Sequence, residues 1–142
     1  MYRVRDLLKG RETYSVEDHE TVSEVARRMA ARHIGAILVM SDGKLGGVFS
    51  ERDLMVRVVL AGLDPATTQV STVMSRNLAT VEDSAPVESA MEIMHQHSCR
   101  HLPVLREREV AGFLSMRDVM TFELSRKSEE LQHMRAYIQG SA

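Results

Sequence analysis

The chain has 142 residues and a formal net charge of -2, a balance that gives no global argument for binding nucleic acid or an anionic membrane surface. Its apolar runs, such as Ile37–Met40, are far too short to span a bilayer, and Met1-Tyr2-Arg3-Val4-Arg5-Asp6 lacks the apolar stretch of a signal peptide. A single cysteine, Cys99, cannot form an intrachain disulfide and suits a reducing, cytoplasmic setting, while the absence of tryptophan leaves Val, Leu, Ile, Met and Ala to build the core.

Taken in order, Thr13–Val16 reads as a short extended piece and Thr21-x-x-Glu24 as a capping box opening a helix. Val22, Val25, Ala26, Met29 and Ala30 then fall on one helical face. Two apolar runs follow, Ala36–Met40 and Leu45–Phe49, separated by the turn composition Ser41-Asp42-Gly43-Lys44. A second helix is expected from Ser50 to about Gly62. From Leu78 the order starts again: an extended piece to Val81, and a helix starting near Pro86 with Val87, Ala90, Met91 and Met94 on its apolar face. Strands at Leu102–Leu105 and Val110–Leu114 and a helix opening after Ser115 complete it.

The second pass is a copy of the first. Sliding the chain by 65 positions lays Tyr14–Leu54 on Ala79–Val119 without a gap. Val16-Glu17-Asp18 meets Val81-Glu82-Asp83, Val22 meets Val87, Met29 meets Met94, Val39 meets Val104 and Gly47 meets Gly112. Ser50-x-Arg52-Asp53 meets Ser115-x-Arg117-Asp118. The expected fold class is therefore α/β (α+β), a tandem βαββα repeat. Residues 4–62 form one unit, 63–68 a linker, 69–122 the second unit and 123–139 a helical extension. Units this small bury little surface alone, so the two are expected to share a core.

Ser-x-x-Asp is first of all a capping box, with Ser50 or Ser115 at N-cap and the aspartate near N3. Two details add a ligand reading. Arg52 and Arg117 occupy the first turn of both helices, where a cation opposes the helix dipole at a cost of about 0.3–1 kcal/mol. Each helix also starts directly after a strand, presenting the free N–H groups that favour phosphate.

Gly46-Gly47-Val48-Phe49-Ser50-Glu51-Arg52-Asp53, Arg100-His101-Leu102-Pro103-Val104 and Ala111-Gly112-Phe113-Leu114-Ser115-Met116-Arg117-Asp118 together make the chain resemble the cystathionine-β-synthase (CBS) domain family. In that family two such units pair into a Bateman module with a pseudo-two-fold axis. The resemblance implies an adenine-nucleotide site in which Asp53 or Asp118 receives ribose hydroxyls and Ser50 or Ser115 lies near phosphate. It places the base between Tyr14-Ser15-Val16 and Gly35-Ala36-Ile37, and between Ala79-Thr80-Val81 and Arg100-His101-Leu102. AMP, ADP, ATP, NAD and S-adenosylmethionine are all compatible ligands. Arg100 and His101 stand where the first unit has Gly35 and Ala36, which concentrates positive charge on one side where phosphate is expected, so one strong and one weak or empty site are expected.

Other residues read more simply. His95, His97, Cys99 and His101 are spaced against convergence on one metal ion, so no metal is expected. Cys99 aligns with Ile34 as a small packing residue, the methionines read as core filling, and His33 and His133 as surface groups. Beyond Asp118 the chain stays helix-compatible to about Gln139, with Val119, Phe122, Leu131, Met134 and Ile138 as an apolar stripe and Ser125–Glu130 as a polar interruption. That stripe suits packing on a second copy, a homodimer, or folding back on its own module. Three function classes result: a regulatory nucleotide sensor acting on a protein effector, a structural or interaction module whose aspartates only cap helices, and, last, an enzyme. The last has no visible nucleophile–base or paired-carboxylate arrangement to support it.

Overall fold

A computed structural model describes residues 1–140. A short helix, α1 (Val4–Leu8), precedes β1 (Ser15–Glu17), α2 (Val22–Arg32), β2 (Ala36–Ser41), β3 (Lys44–Ser50) and α3 (Glu51–Asp53). From α3 the chain runs on as a wider π-helical stretch, Leu54–Val59, and a 3-10 turn at Val70–Thr72 follows. The second unit contributes β4 (Val81–Glu82), α4 (Val87–Gln96), β5 (His101–Arg106), β6 (Glu109–Ser115) and α5 (Met116–Gly140).

Each unit carries a three-stranded sheet, β1-β2-β3 or β4-β5-β6, with its first pair parallel and its second antiparallel. The duplication extends to irregularities: the register slips between Val39 and Met40 and again between Val104 and Leu105. The first hairpin turns on Asp42 (φ 50°) and Gly43 (φ 76°), the left-handed pair that a two-residue hairpin requires. Thr21 caps α2 as expected, its Oγ1 accepting the Glu24 N–H at 3.3 Å. Pro86 sits one position earlier than a first helical turn, at the N-cap of α4. The helix after Ser115 and the expected extension form one unbroken helix, because Ser125–Glu130 interrupts the apolar stripe without containing a helix breaker.

Sequence-contiguous segments and spatial units do not coincide. Val4 is fully buried in the second unit's core with Leu7 and Leu8 beside it, while Val70, Val73 and Met74 complete the first unit's core. The exchange is hydrogen-bonded symmetrically. Val4 N donates to Ala85 O and Val70 N to Glu20 O, both at 2.9 Å. Arg5 N donates to Asp83 O at 2.9 Å, and Ser71 N to Asp18 O at 3.1 Å. Gly47 and Gly112 are repeated because these docking segments lie against them. A Cβ on Gly47 would stand 2.7 Å from Ser75 O, and one on Gly112 2.7 Å from Leu8 Cδ1.

Met29, Met74 and Met94 are buried as core filling requires, but Met1, Met55, Met91, Met116, Met120 and Met134 are exposed, so that reading fails for most of the methionines. Cys99 packs against the second core where Ile34 packs against the first. On α5, Leu131, Met134 and Ile138 are 54%, 60% and 64% exposed. The stripe is therefore split: Val119 and Phe122 pack on the second unit's core, while its distal half from Leu131 to Ile138 is exposed.

Candidate functional site

Both Ser-x-x-Asp motifs form reciprocal caps. Ser115 N donates to Asp118 Oδ2 at 2.8 Å, and Asp118 N returns a bond to Ser115 Oγ at 3.0 Å. Ser50 N donates to Asp53 Oδ2 at 3.0 Å, and Asp53 N to Ser50 Oγ at 3.1 Å. Each pair satisfies donors that a helix start leaves orphaned. The two aspartates differ in what their remaining oxygen meets.

Asp118 borders a cleft of about 310 Å³ between the units. The first unit supplies Tyr14, His33, Ile34, Gly35 and Ala36; the second supplies His101, Phe113, Ser115 and Arg117. Arg11, on the segment joining α1 to β1, closes one side and places a guanidinium nitrogen 3.0 Å from Asp118 Oδ1. Burial pushes the Asp118 carboxyl up, but the Ser115 hydrogen bonds and Arg11 outweigh it and hold the group below the ordinary carboxylate range. It is an ionised acceptor at neutral pH.

His101 behaves differently from the cation expected of it. Burial is the largest influence on its ring and lowers its pKa below the usual 6.5, against the opposing pull of Asp118, so it is neutral at pH 7. Its ring stacks on Phe113, with centroids 5.3 Å apart. Arg100 is exposed and does not line the cleft; its carbonyl accepts the Met116 N–H at 2.7 Å. The positive charge expected at residues 100 and 101 is supplied instead by Arg11 and Arg117. His33 is exposed, as expected of a surface group, and ends α2 in a left-handed conformation (φ 54°) at the cleft edge.

Asp53 is closed in. Only 8% exposed, it accepts the Ser75 hydroxyl at 3.1 Å on Oδ1, the oxygen that Arg57 Nε approaches to 3.6 Å. Arg57 also donates to Met74 O at 3.0 Å. Neither partner is repeated at Asp118: Phe122 stands at the position equivalent to Arg57, and Lys9 and Gly10, in the stretch corresponding to Ser75, carry no hydroxyl. Ser50, Arg52 and Asp53 are not among the cleft's lining residues. Nor are Ser15, Val16, Thr80 and Val81: Val16 and Val81 are core residues, Ser15 is exposed and Thr80 half-buried.

The CBS domain model matches residues 4–59 and again residues 70–125. The chain belongs to the CBS domain family. Among CBS relatives, the mitochondrial CBS domain-containing protein CBSX3 of Arabidopsis thaliana is 32% identical over 126 residues, covering 85% of this chain. The chain spans only 61% of that relative's length. A putative signal-transduction protein with CBS domains from Burkholderia ambifaria superposes with a TM-score of 0.82 at 29% identity, covering 87% of this chain and 95% of its own. The CBS domain protein PAE2072 of Pyrobaculum aerophilum, solved in complex with AMP, superposes at 0.75 with 32% identity, covering 82% and 89%.

Arg11, Phe113, Ser75 and Arg57 went unflagged as site residues in the sequence. The ungapped 65-residue shift begins at Tyr14, and upstream of it the docked pairs Val4/Val70 and Arg5/Ser71 stand 66 apart, so the repeat carried no signal for Arg11 or Ser75. Among the described residues, no group of three or more His, Cys, Asp or Glu is arranged to hold a metal ion. Among them, too, no helix is long and apolar enough to cross a membrane.

Proposed function

We propose that this CBS pair is a cytoplasmic regulatory module binding one adenine nucleotide per chain, in the cleft at Asp118. The observation that carries this reading is an ionised, half-buried carboxylate bordering a cleft lined by both units, across from Tyr14, Gly35 and Ala36. Asp118 would take the ribose hydroxyls, and Tyr14 with Gly35 and Ala36 would flank the base. Ser115 and Arg117, at the start of the 25-residue helix α5, would meet phosphate. The AMP complex of PAE2072 supports the ligand class. Ser115 Oγ serves the cap, so binding rather than catalysis is the proposed activity. A ligand touching both units can shift their relative arrangement only by binding one arrangement better, and a protein effector would read that bias. The exposed stripe on α5 would pack against a second copy, giving a homodimer.

The structural reading, in which Ser-x-x-Asp is a cap alone, is favoured at Asp53, which is only 8% exposed and does not line the cleft. A thermal-shift panel of adenine and guanine nucleotides tests the proposal, since ligand at a hundred times its dissociation constant adds about 2.7 kcal/mol. Stabilisation by AMP, ADP or ATP that disappears in Asp118→Asn is expected. No shift with any nucleotide would return both motifs to helix capping, and equal shifts with guanine nucleotides would refute the adenine assignment.

A further inference from the structure

Both oxygens of Asp118 have partners in the chain itself: Oδ2 accepts the Ser115 N–H, and Oδ1 pairs with Arg11. The cap is part of the helix and stays. A ribose diol that takes Asp118 approaches the same carboxylate edge, at Oδ1, where the Arg11 guanidinium already stands. Arg11 is not anchored elsewhere in the cleft wall: its side chain is 46% exposed and lies on the irregular segment between α1 and β1. With Arg117 also lining the cleft, displacement leaves two guanidinium groups facing one ligand, with Glu12 the other carboxylate on the lining.

From this we infer that Arg11 is a specificity-determining residue that makes the cleft select phosphate-bearing nucleotides over nucleosides. It exchanges Asp118 for the ligand's phosphate as the ribose hydroxyls take its place. The inference rests on the adenine-nucleotide reading of the cleft. A neutral nucleoside breaks the ion pair and returns nothing to Arg11. A nucleotide breaks the same pair and supplies a charge-assisted, bidentate-capable acceptor in exchange. The discrimination thus comes from a residue outside the Ser-x-x-Asp motif, and it works by competition as well as by attraction.

The test is calorimetric titration of AMP and adenosine into the full chain as wild type, Arg11→Ala and Arg11→Lys. In Arg11→Ala, AMP is expected to weaken roughly ten- to a hundredfold, the loss of a hydrogen-bonded charge pair. Adenosine is expected to bind as well as before or up to about fivefold better, because a half-exposed ion pair no longer competes. Arg11→Lys should retain most of the AMP preference. A parallel loss of both ligands in Arg11→Ala, with the melting temperature unchanged, would make Arg11 a mere wall of the cleft and overturn the inference. An AMP affinity equal to wild type would overturn it as well. Failure of both ligands to bind the wild type is a different result, which removes the nucleotide assignment and this inference with it.

Discussion

Substituting each aspartate by asparagine separates a structural carboxylate from a ligand-binding one. Asn at position 53 keeps one oxygen for the Ser50 N–H, so the helix start survives. It loses the charged acceptor of the Ser75 hydroxyl, at 3.1 Å in a site only 8% exposed, and it loses the Arg57 contact at 3.6 Å. A buried hydrogen bond to a charged group is worth about 1.5–3 kcal/mol, and Arg57, half exposed, adds little. For a domain near this size each kcal/mol moves the melting temperature by about 2–4 °C, so a fall of roughly 3–12 °C is expected. Asn at position 118 keeps its cap and loses a pair in which Arg11 is 46% exposed, a cost of at most about 1 kcal/mol. There the expected loss is in AMP affinity, roughly ten- to a hundredfold. Thermal melts and AMP titrations of the two variants therefore give opposite patterns. An Asp53→Asn protein that melts with the wild type and weakens AMP as much as Asp118→Asn does would refute the claim that Ser75 and Arg57 close that position.

The repeated glycines are not equivalent: a Cβ on Gly47 meets the Ser75 carbonyl oxygen at 2.7 Å, whereas one on Gly112 meets the flexible end of Leu8. Gly47→Ala is expected to cost about 1–3 kcal/mol in urea denaturation and Gly112→Ala less than about 1; equal costs would contradict the exchange geometry. Truncation after Arg126 removes the exposed stretch Leu131–Ile138; sedimentation is expected to show a dimer for the full chain and weakened or abolished dimerisation for the truncated one, and an unchanged dimer would place the interface on the core module. Burial keeps the folded-state pKa of His101 below its unfolded value near 6.5, so the unfolded chain takes up the proton first as pH falls. The stabilisation this implies is full above about pH 6.5 and declines from there toward the folded pKa, and His101→Gln should flatten that part of the urea-midpoint profile.

The duplicated fold was legible because it is written twice in the same register. Identical residues at Val16, Val22, Met29, Val39 and Gly47 recur in the second unit inside matching strand and helix periodicities. The exchange was not, because Val4 and Val70 are ordinary apolar residues, and nothing local says which sheet they will cover. The repeated glycines were visible without their reason, since the atoms that crowd them, Leu8 and Met74, belong to segments outside the aligned stretch 14–54. At the site, both caps followed from residue type and spacing. Which aspartate borders the cleft did not, because Asp53 is closed by Ser75 and Arg57, whose places at Asp118 are taken by the Lys9–Gly10 stretch and Phe122. Those differences matter only once the units are set side by side, and Arg57 reaches Asp53 from a π-helical stretch that its own residues, Leu54–Val59, do not announce.

The exchange also bears on how occupancy could be felt at a distance. The segment bearing Arg11 crosses from one unit to the other: α1 is docked on the second unit, and β1 belongs to the first. Its counterpart runs from the turn at Val70–Thr72, docked on the first unit, to β4 in the second. Ser75 ties that second crossing to Asp53 with a buried hydrogen bond that no ligand is needed to make. The first crossing is tied to Asp118 by the partly exposed Arg11 pair, the contact that ribose hydroxyls would displace. One crossing is fixed by the protein and the other is held by a bond within a ligand's reach. A change at Asp118 is thus not mirrored at Asp53, and it alters the tether of one crossing alone. Coupling of this kind requires the nucleotide to bind differently to the tethered and released arrangements. Displacement of Arg11 from Asp118 by the proposed nucleotide would supply that difference, because the ion pair that tethers this crossing in the free protein would be exchanged for contacts to the ligand.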